Sequence, residues 1–94
     1  MTFTKYIQET LPDFYLVCLS FDDLDRAKMS LSVRCRAKND RGMSFHRSHT
    51  HTIEVYPVSF DDDLIRACAW CVNHLTTTII TEQLHAVPFE EPTS

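Results

Sequence analysis

Three residues in one stretch of the sequence have the types and the spacing of metal ligands. Cys68, Cys71 and His74 form a C-x-x-C-x-x-H motif of thiol and imidazole groups, which are common zinc ligands. On a helix each step of three residues turns through about 300°, so the motif supplies at most part of a tetrahedral site. His49 or His51 could add a fourth ligand, because residues i and i+2 of a strand point to the same side. The alternative, which we favour, makes both cysteines small apolar core residues and predicts no metal site.

Further histidines and carboxylates offer groups that catalysis uses. The segment 45–53, FHRSHTHTI, contains three histidines that could form a general base, a metal site or a pH-responsive patch. Only Ser44 and Ser48 lie near enough in sequence to act as nucleophiles, and nothing marks them as activated. Three aspartates at 61–63 could hold a divalent cation, but they are better explained as the start of a helix. We predict that the protein is not an enzyme.

Composition excludes several classes of site and favours a location. The 94 residues include one glycine, Gly42, whereas nucleotide-binding phosphate loops need several, so we predict no cofactor. Glu9 and Asp13 interrupt the apolar run that a signal peptide would need, and no stretch has transmembrane length. Four cysteines without a signal sequence are predicted to be free thiols in a cytoplasmic protein.

The cations form a second candidate site. Seven of the nine Lys and Arg residues fall between positions 26 and 47, although the formal net charge is -4. Arg34, Arg36 and Lys38 would share one side of a strand about 6.7 Å apart, close to the spacing of phosphates along a single nucleic-acid strand. With Arg41 and Arg47 they are predicted to bind a partner, either an acidic protein surface or nucleic acid. A solvated face with cross-strand ion pairs is the alternative.

The elements that position these residues follow from hydrophobic periodicity. Residues 61–86 carry apolar side chains at a spacing of three and four, which predicts one long helix. Ser59 and Asp62 have the spacing of a capping box at its start. Six consecutive β-branched residues at 76–81 make a strand the alternative for its second half.

The remaining elements are a short helix and three strands. Residues 3–11 have helical spacing, 14–21 form an apolar run that predicts a central strand, and 29–38 alternate regularly between apolar and polar side chains. Residues 39–42 predict a hairpin turn, and a further strand spans 43–58. Polar residues in the inward phase of that strand predict either a bulge or strand end near 47–51, which we favour, or an overhang beyond the helices.

The sequence therefore predicts an α+β fold of order α-β-β-β-α. A three-stranded antiparallel sheet would carry the short N-terminal and the long C-terminal helix on one face. Residues 1–87 would form a single globular domain and residues 88–94 a flexible C-terminal tail.

This element order is similar to that of double-stranded-RNA-binding domains. The resemblance implies the same sheet-and-helix layering. That family places lysines at the start of its last helix to hold phosphates, whereas the matching segment here reads FDDDLIRA. RNA-binding residues are therefore not carried over.

The long helix is apolar over more than one face, which indicates an interface. Trp70, Val72 and Ile80 are predicted anchors for a homodimer or another protein. We predict a small non-enzymatic adaptor or inhibitor that binds a protein through its sheet face and long helix. Such chains are common among accessory proteins of phages and mobile elements, which suggests that origin by association. The alternative is a nucleic-acid-binding module that uses the cationic strand.

Overall fold

Residues 1–21 and 28–89 fold as four strands, two α-helices and one short 3-10 helix (Pro57–Ser59) in one α+β unit. The computed structural model describes residues 1–21 and 28–89. They form helix α1 (Phe3–Thr10), strands β1 (Tyr15–Phe21), β2 (Lys28–Lys38) and β3 (Ser44–Glu54), helix α2 (Phe60–Thr81) and the two-residue strand β4 (His85–Ala86). The predicted order α-β-β-β-α is confirmed, and β4 is an addition to it. The predicted tail lies outside the described residues from position 90 onward.

Strand β2 is the centre of the sheet, so the prediction of a central strand at 14–21 is wrong, and β1 lies beside β2 at the side of the sheet. It pairs antiparallel with β1 on one side and with β3 on the other, and its end also pairs with β4. One side chain in two along it is buried under α2, and Leu31, Val33 and Cys35 are completely inaccessible to solvent. The alternation of apolar and polar residues thus assigned the two faces of this strand correctly.

The hairpin between β2 and β3 is tight and its register is regular. Gly42 takes a φ of 79°, its N–H donates to the Asn39 carbonyl at 3.0 Å, and the Asn39 N–H donates to the Met43 carbonyl at 3.1 Å. From Lys38 opposite Ser44 the two strands pair without interruption for eleven residues. The bulge that we favoured near 47–51 is therefore wrong, and the predicted strand 43–58 is shortened to β3. The polar residues in its inward phase are half-exposed beside α2, as the overhang alternative implied.

The first turn of α2 is fixed by contacts other than a capping box. Ser59 makes no side-chain hydrogen bond to the backbone of the helix, and its hydroxyl instead donates to Asp63 Oδ2 at 2.8 Å. The capping box that we predicted between Ser59 and Asp62 is therefore not formed. Asp61 Oδ1 accepts the backbone N–H of Phe3 at 2.8 Å, which joins the start of α2 to the start of α1.

The threonine-rich half of α2 is helical, so the alternative of a strand at 76–81 does not hold. Each of three consecutive threonine hydroxyls donates to the carbonyl four residues earlier, at 2.8 to 3.0 Å. Because the hydroxyls bond to the preceding turn, these polar side chains are accommodated on the exposed side of a helix.

Helix α2 ends at Thr81, five residues before the predicted end at 86. Gln83 takes a φ of 59°, its N–H donates to the Ile80 carbonyl, and the Leu84 N–H donates to the Ile79 carbonyl. These two bonds form a Schellman motif, in which glycine normally holds the left-handed position. The sequence has glutamine there, so the stop signal was absent. The chain then reverses into β4, which pairs with the end of β2.

The core lies between α2 and the sheet, with α1 at one side. Phe3 of α1 is buried, and six side chains of α2 are buried against the sheet: Leu64, Ala67, Cys68, Cys71, Leu75 and Ile79. Among residues 1–21 and 28–89, no buried side-chain nitrogen or oxygen lacks a hydrogen-bond partner. In the same residues, neither helix combines the length and apolarity needed to cross a lipid bilayer.

Candidate binding surfaces

The side of the sheet opposite α2, here called the open face, is lined by small polar side chains over much of its area. The Ser30 and Thr52 hydroxyls lie 3.2 Å apart, and those of Ser32 and Thr50 lie 2.6 Å apart, each pair joining β2 to β3. Neither helix in the described part of the chain packs on this face. The result is a flat surface rich in hydroxyl groups.

The hairpin end of the open face is cationic. Arg34, Arg36 and Lys38 lie there on alternate positions of β2, and Arg41 is exposed in the adjoining turn. His46 of β3 lies directly opposite Arg36, and its Nδ1 is 3.5 Å from Nη2 of Arg34. The structure thus brings four of the five predicted cationic residues to one end of the sheet, here called the cationic end, and adds His46 to them.

The last described residues cross the open face at the cationic end. The Val87 N–H donates to the Arg36 carbonyl at 2.9 Å, and Nη1 of Arg36 donates to the Pro88 carbonyl at 3.2 Å. The Phe89 ring then meets His46 edge-on, with ring centroids 5.9 Å apart. Sequence reasoning missed this contact because it assigned residues 88 and 89 to the tail. The aromatic Phe89 in an otherwise polar segment was the available signal.

Arg47, the fifth predicted cation, lies on the other side of the sheet. Its Nε and Nη2 donate to the two carboxylate oxygens of Glu82 at 2.8 and 2.6 Å. These hydrogen bonds raise the pKa of Arg47 and lower the pKa of the Glu82 carboxyl. Arg47 therefore joins β3 to the end of α2 and is separated from the cationic end.

Beside Arg47, an imidazole and indole cluster covers the junction of β3 and α2. This edge cluster consists of His49, His51, Trp70 and His74. The His49 ring stacks on His74 with centroids 4.1 Å apart, and Trp70 lies 4.9 Å from His49 and 4.7 Å from His51. Burial, followed by the proximity of His74 and His51, lowers the pKa of His49. The cluster thus favours the neutral form of the His49 imidazole.

We expect acid to destabilise the fold through His49. In the unfolded chain His49 binds a proton near its ordinary pKa of 6.5, whereas in the folded chain its pKa is lower. Protonation therefore favours the unfolded chain. The free energy of unfolding is highest above pH 6.5 and falls as the pH drops through the folded-state pKa. Thermal unfolding followed from about pH 8 to about pH 5 should show this loss, and His49→Gln should reduce it. His85→Gln, outside the cluster, is the matched control. An unchanged pH dependence in His49→Gln would refute this assignment.

The C-x-x-C-x-x-H motif is divided between the core and the surface. Cys68 and Cys71 lie on the side of α2 that is completely buried against the sheet, whereas His74 belongs to the exposed edge cluster. Burial raises the pKa of the Cys68 thiol to about 11 and also raises that of Cys71. Within the described ranges, no three His, Cys, Asp or Glu residues are grouped as a metal site would require. Both cysteine side chains belong to the hydrophobic core.

The three predicted anchors on α2 do not form one patch. Val72 is half-buried and packs against the core, about 200° around the helix from Trp70. Trp70 is 47% exposed in the edge cluster, and Ile80 is 70% exposed on a different side of the helix. Of the three predicted anchors, Trp70 lies beside other candidate residues, namely the histidines of the edge cluster.

Comparison with protein-family models, with curated proteins and with solved structures finds no match for this chain. The function is therefore inferred from the surfaces themselves. Two surfaces are candidates for binding. One is the open face with its cationic end, and the other is the outer side of β3 with the edge cluster.

Proposed function

We propose that this protein is a non-enzymatic adaptor or inhibitor that docks its open face onto an acidic surface of another protein. The observation that carries the proposal is the cationic end, where Arg34 is exposed and Arg36, Lys38 and Arg41 lie close by. Cations gathered on one surface of an otherwise acidic chain steer and orient a negatively charged partner.

The shape of the open face supports docking on a broad surface. Its serine and threonine hydroxyls project little above the sheet and can form hydrogen bonds across a flat interface. Arginine adds planar, bidentate recognition of carboxylates, which makes Arg34 the expected energetic centre of the contact.

Nucleic acid is the second candidate, because alternate arginines on β2 match the spacing of phosphates. Binding of single strands usually requires aromatic rings on which bases stack. At the cationic end, the aromatic groups that the described residues supply are His46 and Phe89, and they pack edge-on against each other. We therefore rank a protein partner first.

The cytosol is the proposed compartment, supported by four free cysteines.

The test is a charge reversal at Arg34 with a matched control. Arg34→Glu and Lys5→Glu change the net charge equally, but Lys5 lies on α1, where its ammonium is 4.0 Å from Glu9. Partners captured from a host lysate by the wild type should be lost with Arg34→Glu and kept with Lys5→Glu. In titrations with the purified partner, Arg34→Glu should raise Kd about tenfold or more, and added salt should weaken wild-type binding.

Two outcomes would contradict the proposal. Equal binding by both variants would remove the cationic end from the interface. Capture that disappears after nuclease treatment, with a Kd for oligonucleotides that Arg34→Glu raises, would establish the nucleic-acid alternative instead.

A further inference from the structure

Backbone groups of alternate residues point outward along the eleven-residue strand β3, and one of them, the His46 carbonyl, accepts a hydrogen bond from Arg47 Nη1 at 3.0 Å. The sheet order is β1-β2-β3, and β4 pairs with residues of β2 that also pair with β3, so it lies on the opposite side of β2. No strand in the described ranges lies along the outer side of β3. This edge is therefore open to another strand.

The register shows which backbone groups point outward. The Asn39 N–H bonds to the Met43 carbonyl, and bonded and non-bonded pairs alternate along an antiparallel ladder. Residues 45, 47, 49, 51 and 53 therefore bond to β2, and the residues between them direct their N–H and C=O groups outward. These outward residues are Ser44, His46, Ser48, Thr50, Thr52 and Glu54.

This edge has few of the features that usually prevent pairing between molecules. Protected edges carry lysine, proline, a bulge or an inward-pointing charge, and of these β3 has one inward-pointing charge, that of Arg47. Strand β3 contains no lysine or proline, its pairing with β2 is regular, and Arg47 is bound by Glu82. Its other formal charge, Glu54, stands at its last residue.

We propose that β3 pairs antiparallel with β3 of a second copy, which forms a homodimer with one continuous sheet. A two-fold axis with full overlap of the strands places His49 opposite His49 of the second copy and Ser44 opposite Glu54. The inference is independent of the proposed function, and it leaves the open faces of both copies on the same side of the joined sheet.

The charges at the two ends of the edge are complementary in this pairing. Lys38 lies next to Ser44 on the neighbouring strand β2. Glu54 of the second copy would lie on the other side of Ser44, on the same open face. Lysine and glutamate side chains are long enough to meet across the intervening serine, and symmetry makes the contact twice.

In this dimer the Phe45 side chain of one copy would lie at a surface groove of the other. Between the end of β3 and α2 the surface has an open groove of about 520 Å³, whose lining includes Ile53, Ala67 and Trp70. With full overlap, Phe45 of the second copy faces Ile53 and reaches the mouth of this groove. The half-exposed Phe45 would thereby gain an apolar environment.

The positions of the helices fit the same pairing. Helix α2 packs over both β2 and β3. With strands about 4.8 Å apart, the two copies of α2 would be about 10 Å apart, at the upper end of the usual range for packed helices. Trp70, which is 47% exposed in the monomer, lies on the side of α2 that would face the second copy.

The first test replaces one outward N–H. Because the Ser48 N–H points away from β2, Ser48→Pro removes no bond within the sheet, whereas it removes two across the interface. Ser48→Ala changes the side chain and keeps the N–H. In sedimentation and light-scattering measurements over a range of concentrations, the wild type and Ser48→Ala should dimerise, and Ser48→Pro should raise the dimer Kd at least about tenfold. Circular dichroism establishes that each variant is folded.

The second test fixes the register and does not depend on a proline variant. In a Cys18→Ser background, His49→Cys should form an intermolecular disulfide under mild oxidation, because non-hydrogen-bonded opposite residues approach to about 4.5 Å. Ser44→Cys is the control, since its two copies would be about 33 Å apart.

A wild-type protein that stays monomeric at high concentration would overturn the proposal. A dimer that forms no disulfide through position 49, or that cross-links through native Cys18 on β1, would overturn it as well, because the contact would then lie elsewhere.

Discussion

Replacing Leu31 by alanine is expected to lower the free energy of unfolding by about 2 to 5 kcal/mol. Leu31 lies on β2, the central strand, and is completely buried between the sheet and α2. The substitution removes apolar contacts and leaves a cavity that the regular ladders on both sides of β2 cannot close. The loss is a large fraction of the stability of a small domain.

Chemical denaturation with the matched variant Leu16→Ala measures this effect. Leu16 lies on the neighbouring strand, is 43% exposed and points to the open face. Leu16→Ala should lower the free energy of unfolding by less than about 1 kcal/mol, because truncation at this exposed position leaves no closed cavity. Equal losses in the two variants would show that the core does not lie on the α2 side of β2.

The second large effect is expected at Cys68. Cys68→Ser should lower the free energy of unfolding by about 1 to 3 kcal/mol, because it places a hydroxyl in an apolar, completely buried site. Burial already holds the native thiol in its neutral form and raises its pKa to about 11. Serine is more polar than the thiol that it replaces and gains little from this environment.

Thermal unfolding of Cys68→Ser beside Cys18→Ser tests this interpretation. Cys18 is exposed on the open face, so Cys18→Ser should change the midpoint little. A metal chelator should leave the wild-type midpoint unchanged, since a structural zinc site would make the fold depend on metal. A marked fall in the midpoint with chelator would instead restore the metal interpretation of Cys68, Cys71 and His74.

The surface charges show how far the sequence could describe a candidate site. Alternation along β2 was sufficient to place Arg34, Arg36 and Lys38 on one face, because a strand has a period of two. It could not show that Arg47 would be bound by Glu82, since these residues lie 35 positions apart. Nor could it show that residues 87–89 return across the cationic end.

Missing local signals explain the errors at two element boundaries. The predicted helix 61–86 continued too far because Gln83, and not glycine, occupies the left-handed position of the Schellman motif. The predicted bulge rested on three polar residues in the inward phase of β3. These residues do point to the α2 side of the sheet, as predicted. No bulge is needed, because at the edge of the sheet a side chain on that side can remain half-exposed beside the helix.

By itself, the sequence determined the order of the elements, the buried phase of β2, the hairpin at Gly42 and the α+β class. These features depend on residues close together in the chain, where period and turn chemistry act directly. Only the tertiary structure decided that β3 is an open edge, that the C-x-x-C-x-x-H motif is divided, and that His49, His51, Trp70 and His74 form one cluster. Those relations join residues far apart in the chain, and their neighbours are fixed by packing and register, which local periodicity does not specify.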